Sequence, residues 1–194
     1  MKHRVTVEKV EPLSHNWVKL DRYTLHYMRH DGRADTLVRE IHDHGSGASV
    51  LPYDPKRGTV LLVRQFRLPT YLAGFDGFII ECCAGLLDGD DPTLCAQREA
   101  EEELGFRISN LRLVAHPFAS PGVVTERIAM FLADYDHTMR INDGGGHAHE
   151  GEDIEVLEMP FDDLRRMVTG GEIIDAKTIM LSLFLERELG LPPL

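Results

Sequence analysis

Four carboxylates crowd into the stretch REAEEELGF, residues 98–106: Glu99, Glu101, Glu102 and Glu103. On a helix each residue turns by about 100°, so Glu99, Glu102 and Glu103 would share one face while Glu101 points away. Like charges three or four residues apart repel by a few tenths of a kcal/mol per pair, and by its spacing Arg98 relieves only Glu102. A solvated acidic face is the ordinary explanation of such a run, but the flanks argue for a firmer support. Asp91-Pro92 offers an N-cap followed by proline at the first helical position, and Gly105 offers a C-terminal stop. These signals predict one helix over residues 92–104. Ala96, Ala100 and Leu104 recur every four residues beside the acidic face, so one side packs on a core while its neighbour carries charge. Carboxylate oxygens on a rigid, half-buried face suit a hard cation such as Mg2+ or Mn2+, which keeps room for water and phosphate.

The rest of the chain has to position that face. Its 194 residues suffice for one domain, or one domain with a small appendage, with a full core. A formal net charge of -11 argues against a nucleic-acid backbone as partner, since that requires a basic stripe. Cys82, Cys83 and Cys95 are odd in number and lack zinc-type spacing, which points to core thiols in a reducing, cytoplasmic setting. The opening MKHRVTVEKV has no apolar run of signal-peptide length, and no segment approaches a membrane span.

Residues 4–10, 17–30 and 35–43 alternate polar and apolar side chains, and Asp31-Gly32 is a hairpin signal. They predict an N-terminal antiparallel meander over residues 1–43. In residues 44–194, strands are expected at 45–51, 59–66, 77–83, 111–118, 127–135 and 154–159. Helices are expected at 161–169 and 176–189, the last carrying the apolar series Ile179, Leu183 and Phe184. The run Gly144-Gly145-Gly146 reads as a hinge for the loop that follows, HEGEDIEV.

AGLLDGDDPTLCAQREAEEELGF resembles the Nudix box: Gly, five residues, Glu, seven residues, then Arg-Glu-apolar-any-Glu-Glu-any-Gly-apolar. Arg98, Glu99, Ala100, Glu102, Glu103, Gly105 and Phe106 match its second half. The first half is one residue short, and the place of its Glu falls to Asp90 or Asp91. Further stretches, VREIHDHG, LLVRQFRLPTY, IECCAGLLDGDDP, ASPGVVTE, GEDIEVLEMPF and IIDAKTIMLSLFL, are similar to the branch of the Nudix family that splits GDP-mannose into GMP and mannose 1-phosphate.

The resemblance implies an α/β/α sandwich with a mixed sheet behind the N-terminal meander, which would serve a homodimer. It implies a Mg2+ site from Glu99, Glu103, Glu152 and the carbonyl of Ala84, with Glu102 or Glu150 acting on the attacking water. It implies nucleotide-sugar contacts from Trp17, Arg39, Glu40, Arg67, Ala84, Leu86, Glu126 and Lys177. The same chemistry on ADP-ribose, or a regulator that binds a nucleotide sugar without cleaving it, remains open. No Ser-His-Asp or Cys-His pattern is visible, so no covalent nucleophile is expected.

Overall fold

The structure is a computed structural model, which describes residues 4–147 and 151–192. Its contacts divide the chain into two compact units: the described residues up to Ser46 with Pro117–Arg127, and Gly47–His116 with the described residues from Ile128 onward.

In the first unit β1 (Val5–His15), β2 (Lys19–Met28) and β3 (Ala34–Asp43) form an antiparallel sheet in that order. Arg29 to Arg33 closes the β2–β3 hairpin around Gly32, whose φ of 86° suits a residue without Cβ. Pro12 falls at a register shift of β1, a strand with a partner on one side only, where its missing N–H costs no ladder bond. β1 runs past the predicted residue 10, and Trp17 sits in the β1–β2 turn rather than in a strand. The segment Pro117–Arg127 docks on the end of β3, with His42 donating to Val123 and Thr125 to His42.

The second unit is built on a seven-stranded mixed sheet, ordered β10-β5-β4-β9-β8, with β6 on β5 and β7 on β4. These strands are β4 (Gly47–Asp54), β5 (Thr59–Phe66), β6 (Phe78–Glu81), β7 (Cys83–Leu86), β8 (Ser109–Ala115), β9 (Ile128–Asp134) and β10 (Glu155–Pro160). Alternation along the central strands separates two cores. Ala48, Val50, Leu61, Val63, Ala129 and Phe131 face Cys95, Ala96, Ala100 and Leu104 of the acidic helix, α2 (Pro92–Glu99, continuing over Ala100–Leu104). Leu51, Val60, Leu62, Met130 and Leu132 face Phe161 and Leu164 of α3 (Phe161–Gly170) and Leu181 and Leu185 of α4 (Ala176–Glu188). The result is the expected α/β/α sandwich. Two details differ from the sequence pattern: α4 turns Thr178, Leu181, Ser182 and Leu185 inward and leaves Leu183 exposed, and a short helix over Leu68–Leu72, here α1, follows β5.

One feature of the sheet matters for the site. β4 and β5 pair only near their shared turn, at Tyr53 with Val60 and Asp54 with Thr59. Beyond it β5 continues against β6 and β4 against β7, so the sheet forks. The single strand expected over residues 77–83 is therefore two, broken at Cys82 where the chain crosses from one prong to the other.

Candidate active site

Asp91 caps α2 by accepting the Thr93 N–H at 2.8 Å, with Pro92 next in line. The last turn widens into π geometry over Ala100–Leu104 and ends on Gly105 at φ 78°, whose N–H reaches the Ala100 carbonyl. This single wide turn carries Glu101, Glu102 and Glu103. Ala96, Ala100 and Leu104 are buried as the four-residue spacing requires. The charged face is deeper than half-buried, however. Glu99 is buried and Glu103 is only 2% exposed, while Glu101 turns outward to Arg107 at 3.4 Å.

Glu103 reaches into the fork. Its carboxylate accepts the Ala84 N–H at 3.1 Å and a hydrogen bond from the buried Cys83 thiol. Burial pushes its pKa from the ordinary 4.5 up to about 7; repulsion from Glu99 and Glu152 adds to the rise, and the two donors oppose it. Burial and the neighbouring Glu103 in turn hold the Cys83 thiol well above its usual range. Glu99 lies against the backbone of Gly85: a Cβ there would stand 2.0 Å from a Glu99 carboxylate oxygen. Where it stands, that carboxylate fills the space a side chain at residue 85 would take.

Arg98 does more than the helix spacing suggested. It contacts Glu99 at 3.1 Å and Glu102 at 3.6 Å, lies 3.9 Å from Asp90, and donates to the Leu86 carbonyl at 3.3 Å. The two acids of the shortened box thus divide: Asp91 caps the helix and Asp90 faces Arg98.

The glycine run is not the expected free hinge. Gly145 and Gly146 donate to the carbonyls of Glu103 and Glu102 at 2.9 and 3.1 Å, satisfying the orphan end of the acidic helix. A Cβ on Gly144, at φ 68°, would stand 2.4 Å from the Glu103 carbonyl oxygen. These glycines allow the loop to clamp the helix. Beyond them Glu152 accepts the His147 N–H at 2.8 Å, and the His147 ring stands 3.4 Å from Glu102. Glu150 lies outside the described residues. Among the described residues no three Asp, Glu, His or Cys side chains form a ready-made ion cage. What is assembled is an acidic pair, Glu99 and Glu103, with Glu152 close enough to repel Glu103.

Across the fork stand two of the basic residues implied by the resemblance, Arg67 and Lys177, joined by a carboxylate that sequence inspection missed. Glu81, 2% exposed, accepts Arg67 Nε at 2.6 Å on one oxygen and Lys177 Nζ at 3.1 Å on the other. Lys177 also reaches Asp175, the N-cap of α4, at 2.7 Å. Burial disfavours the charges of Arg67 and Lys177, but the surrounding carboxylates outweigh it and hold both pKa values above their ordinary values, with Glu103 among those acting on Arg67. A lone carboxylate in the apolar run FIIECC gave no signal of this pairing.

The remaining candidates belong to the first unit. Trp17 is 84% exposed, with its ring 6.5 Å from that of His44. Glu126 lies 3.7 Å from His44 Nε2, Glu40 pairs with Arg22 at 2.9 Å, and Arg39 donates to the Val38 carbonyl.

A solved structure described as an ADP compounds hydrolase shares the fold, with a TM-score of 0.73 over 97% of this chain and 95% of that one at 16% identity. The NUDIX domain model matches residues 43–181, and the model of the GDP-mannose pyrophosphatase NudK N-terminal domain matches residues 4–42. The GDP-mannose pyrophosphatase of Pectobacterium atrosepticum is 43% identical over 182 residues, 93% of each chain. That of Escherichia coli O1:K1 is 43% identical over 187 residues, 96% of this chain and 97% of the relative. The chain belongs to the Nudix family of hydrolases, whose members generally use divalent metal ions.

Proposed function

We propose that this chain hydrolyses the diphosphate of GDP-mannose, releasing GMP and mannose 1-phosphate, with Mg2+ as its metal. The observation that carries the chemistry is the acidic pair Glu99 and Glu103, held in the interior at the fork, where burial and the neighbouring carboxylates raise the Glu103 pKa. The observation that selects the substrate is the near full-length relation to GDP-mannose pyrophosphatases.

The residues fit a hard divalent ion. Their donors are carboxylate oxygens, Gly85 keeps the space beside Glu99 free of a side chain, and burial beside Glu99 and Glu152 holds the Glu103 carboxyl above its usual range. Glu99, Glu103 and Glu152, with the Ala84 carbonyl, would hold it. When bound, Mg2+ supplies positive charge to the diphosphate oxygens and makes water a better nucleophile.

The protein groups do the rest. Arg67 presents a planar fork of donors to phosphate, and Lys177 a point charge held beside it. Glu102 or Glu150 orients or deprotonates the attacking water, and the clamp of the glycine run on the helix sets where Glu152 starts from. The exposed indole of Trp17 offers a stacking face for the base, and Arg39, Glu40, Leu86 and Glu126 complete the nucleotide-sugar contacts.

We assign the N-terminal sheet to homodimerisation, supported by Val5, Val7, Val10, Leu13 and Val38, which it leaves exposed. Three buried, unpaired thiols at Cys82, Cys83 and Cys95 support a cytoplasmic setting. None of the described helices is long and apolar enough to cross a membrane. The test is product analysis: GDP-mannose with Mg2+ should yield GMP and mannose 1-phosphate, and undiminished turnover in excess EDTA would remove the metal from the account.

A further inference from the structure

Glu81 is a charged group with no place in the chemistry above, yet it is among the most deeply buried side chains of the second unit. It ends β6 opposite Val63 of β5, one residue before the chain crosses the fork. Its two oxygens are divided between two cations from distant segments, Arg67 just after β5 and Lys177 in the first turn of α4. With Asp175, the four charges sum to zero.

An ion cluster of this kind is a poor choice for stability alone, because well-packed apolar residues of similar volume do as well or better. It is a good choice for fixing direction. A carboxylate that accepts one donor on each oxygen sets the separation of the donors and the orientation of each. The bond from Arg67 uses Nε, so neither terminal nitrogen is taken by Glu81, and the side chain stays 41% exposed. Arg67 is also within electrostatic reach of Glu103, one of the acidic pair. We propose that Glu81 is a positioning residue: without touching substrate, it holds Arg67 and Lys177 in the spacing that grips the two phosphates of a nucleoside diphosphate sugar. This inference rests on Arg67 and Lys177 being substrate contacts.

Glu81→Gln keeps the volume but replaces one acceptor oxygen with a donor, so one of the two cations loses its anchor. Steady-state kinetics on GDP-mannose at saturating Mg2+ should show kcat/KM lower by about tenfold or more, while in an Arg67→Ala background the same change should cost no more than about threefold. That non-additivity separates positioning from general support of the fold, which would cost the same in both backgrounds. Thermal melts of each variant check that folded enzyme is compared. Should Glu81→Gln not fold, Glu81→Asp, which keeps the charge and both acceptor oxygens but draws them back by one methylene, is read instead, with its loss expected to be smaller in the Arg67→Ala background than in wild type.

A Glu81 variant within about threefold of wild type, when Arg67→Ala and Lys177→Ala each lose about tenfold or more, would overturn the inference and leave the two cations as contacts. A full Glu81 loss in the Arg67→Ala background would overturn it too. If Arg67→Ala and Lys177→Ala leave kcat/KM unchanged, the substrate-contact assignment and this inference fall together.

Discussion

Replacing Glu103 by Gln should make the metal-free protein more stable and the enzyme far less active. Glu103 is buried, and its pKa is pushed from 4.5 to about 7. The folded chain therefore holds the proton more tightly than the unfolded chain does. The stability contributed by that proton is complete below pH 4.5 and is lost as the pH rises through 7. Well above pH 7 the ionised group costs the fold about 3 kcal/mol. Glutamine is neutral throughout, nearly equal in volume, and keeps an oxygen for the Ala84 N–H. In excess EDTA, Glu103→Gln should melt above wild type by about 6–12 °C at pH 8, at about 2–4 °C per kcal/mol for a chain of this size. At pH 5 the two should melt nearly together. With Mg2+ the variant's turnover should fall by at least roughly a hundredfold, the scale of losing one electrostatic contributor to a phosphoryl transition state. Differential scanning calorimetry across pH 5–8 reads the first effect and product release the second. A melting difference that does not change with pH, or wild type melting higher at pH 8 in EDTA, would refute the reasoning.

Gly85→Ala should cut turnover by about tenfold or more, because its methyl group would meet the Glu99 carboxylate; a smaller loss in a kinetic assay would mean that this carboxylate is free to move aside. Trp17→Ala should raise KM for GDP-mannose with kcat little changed, since base stacking of about 1–3 kcal/mol is present in ground and transition states alike. Arg67→Ala should lower kcat as well, because its donors face charge that grows during bond cleavage, and an effect confined to KM would argue for ground-state binding alone.

The acidic helix was legible because its signals are local. Asp91-Pro92 and Gly105 bound it, and a four-residue spacing marks its buried side. The layers were legible because central strands buried on both faces read as apolar runs. What escaped depends on contacts distant in sequence. Nothing near Glu81 tells that Arg67 and Lys177 will meet it, since Lys177 lies 96 positions away. The break between β6 and β7 follows from strand pairing with β5 and β4, which FIIECC alone does not encode. Gly144-Gly145-Gly146 looks like a hinge in isolation and becomes a clamp only where the carbonyls of Glu102 and Glu103 are waiting. Leu183 fits an apolar helix pattern, yet α4 turns Leu181 and Leu185 inward instead.

The central claim is the substrate, and steady-state kinetics on GDP-mannose and ADP-ribose at saturating Mg2+ tests it most directly. The account predicts a higher kcat/KM for GDP-mannose, with GMP and mannose 1-phosphate as products and no turnover in excess EDTA. A preference for ADP-ribose of about tenfold or more, or about 1.4 kcal/mol in transition-state binding, would contradict the assignment and leave a Nudix diphosphatase of another specificity.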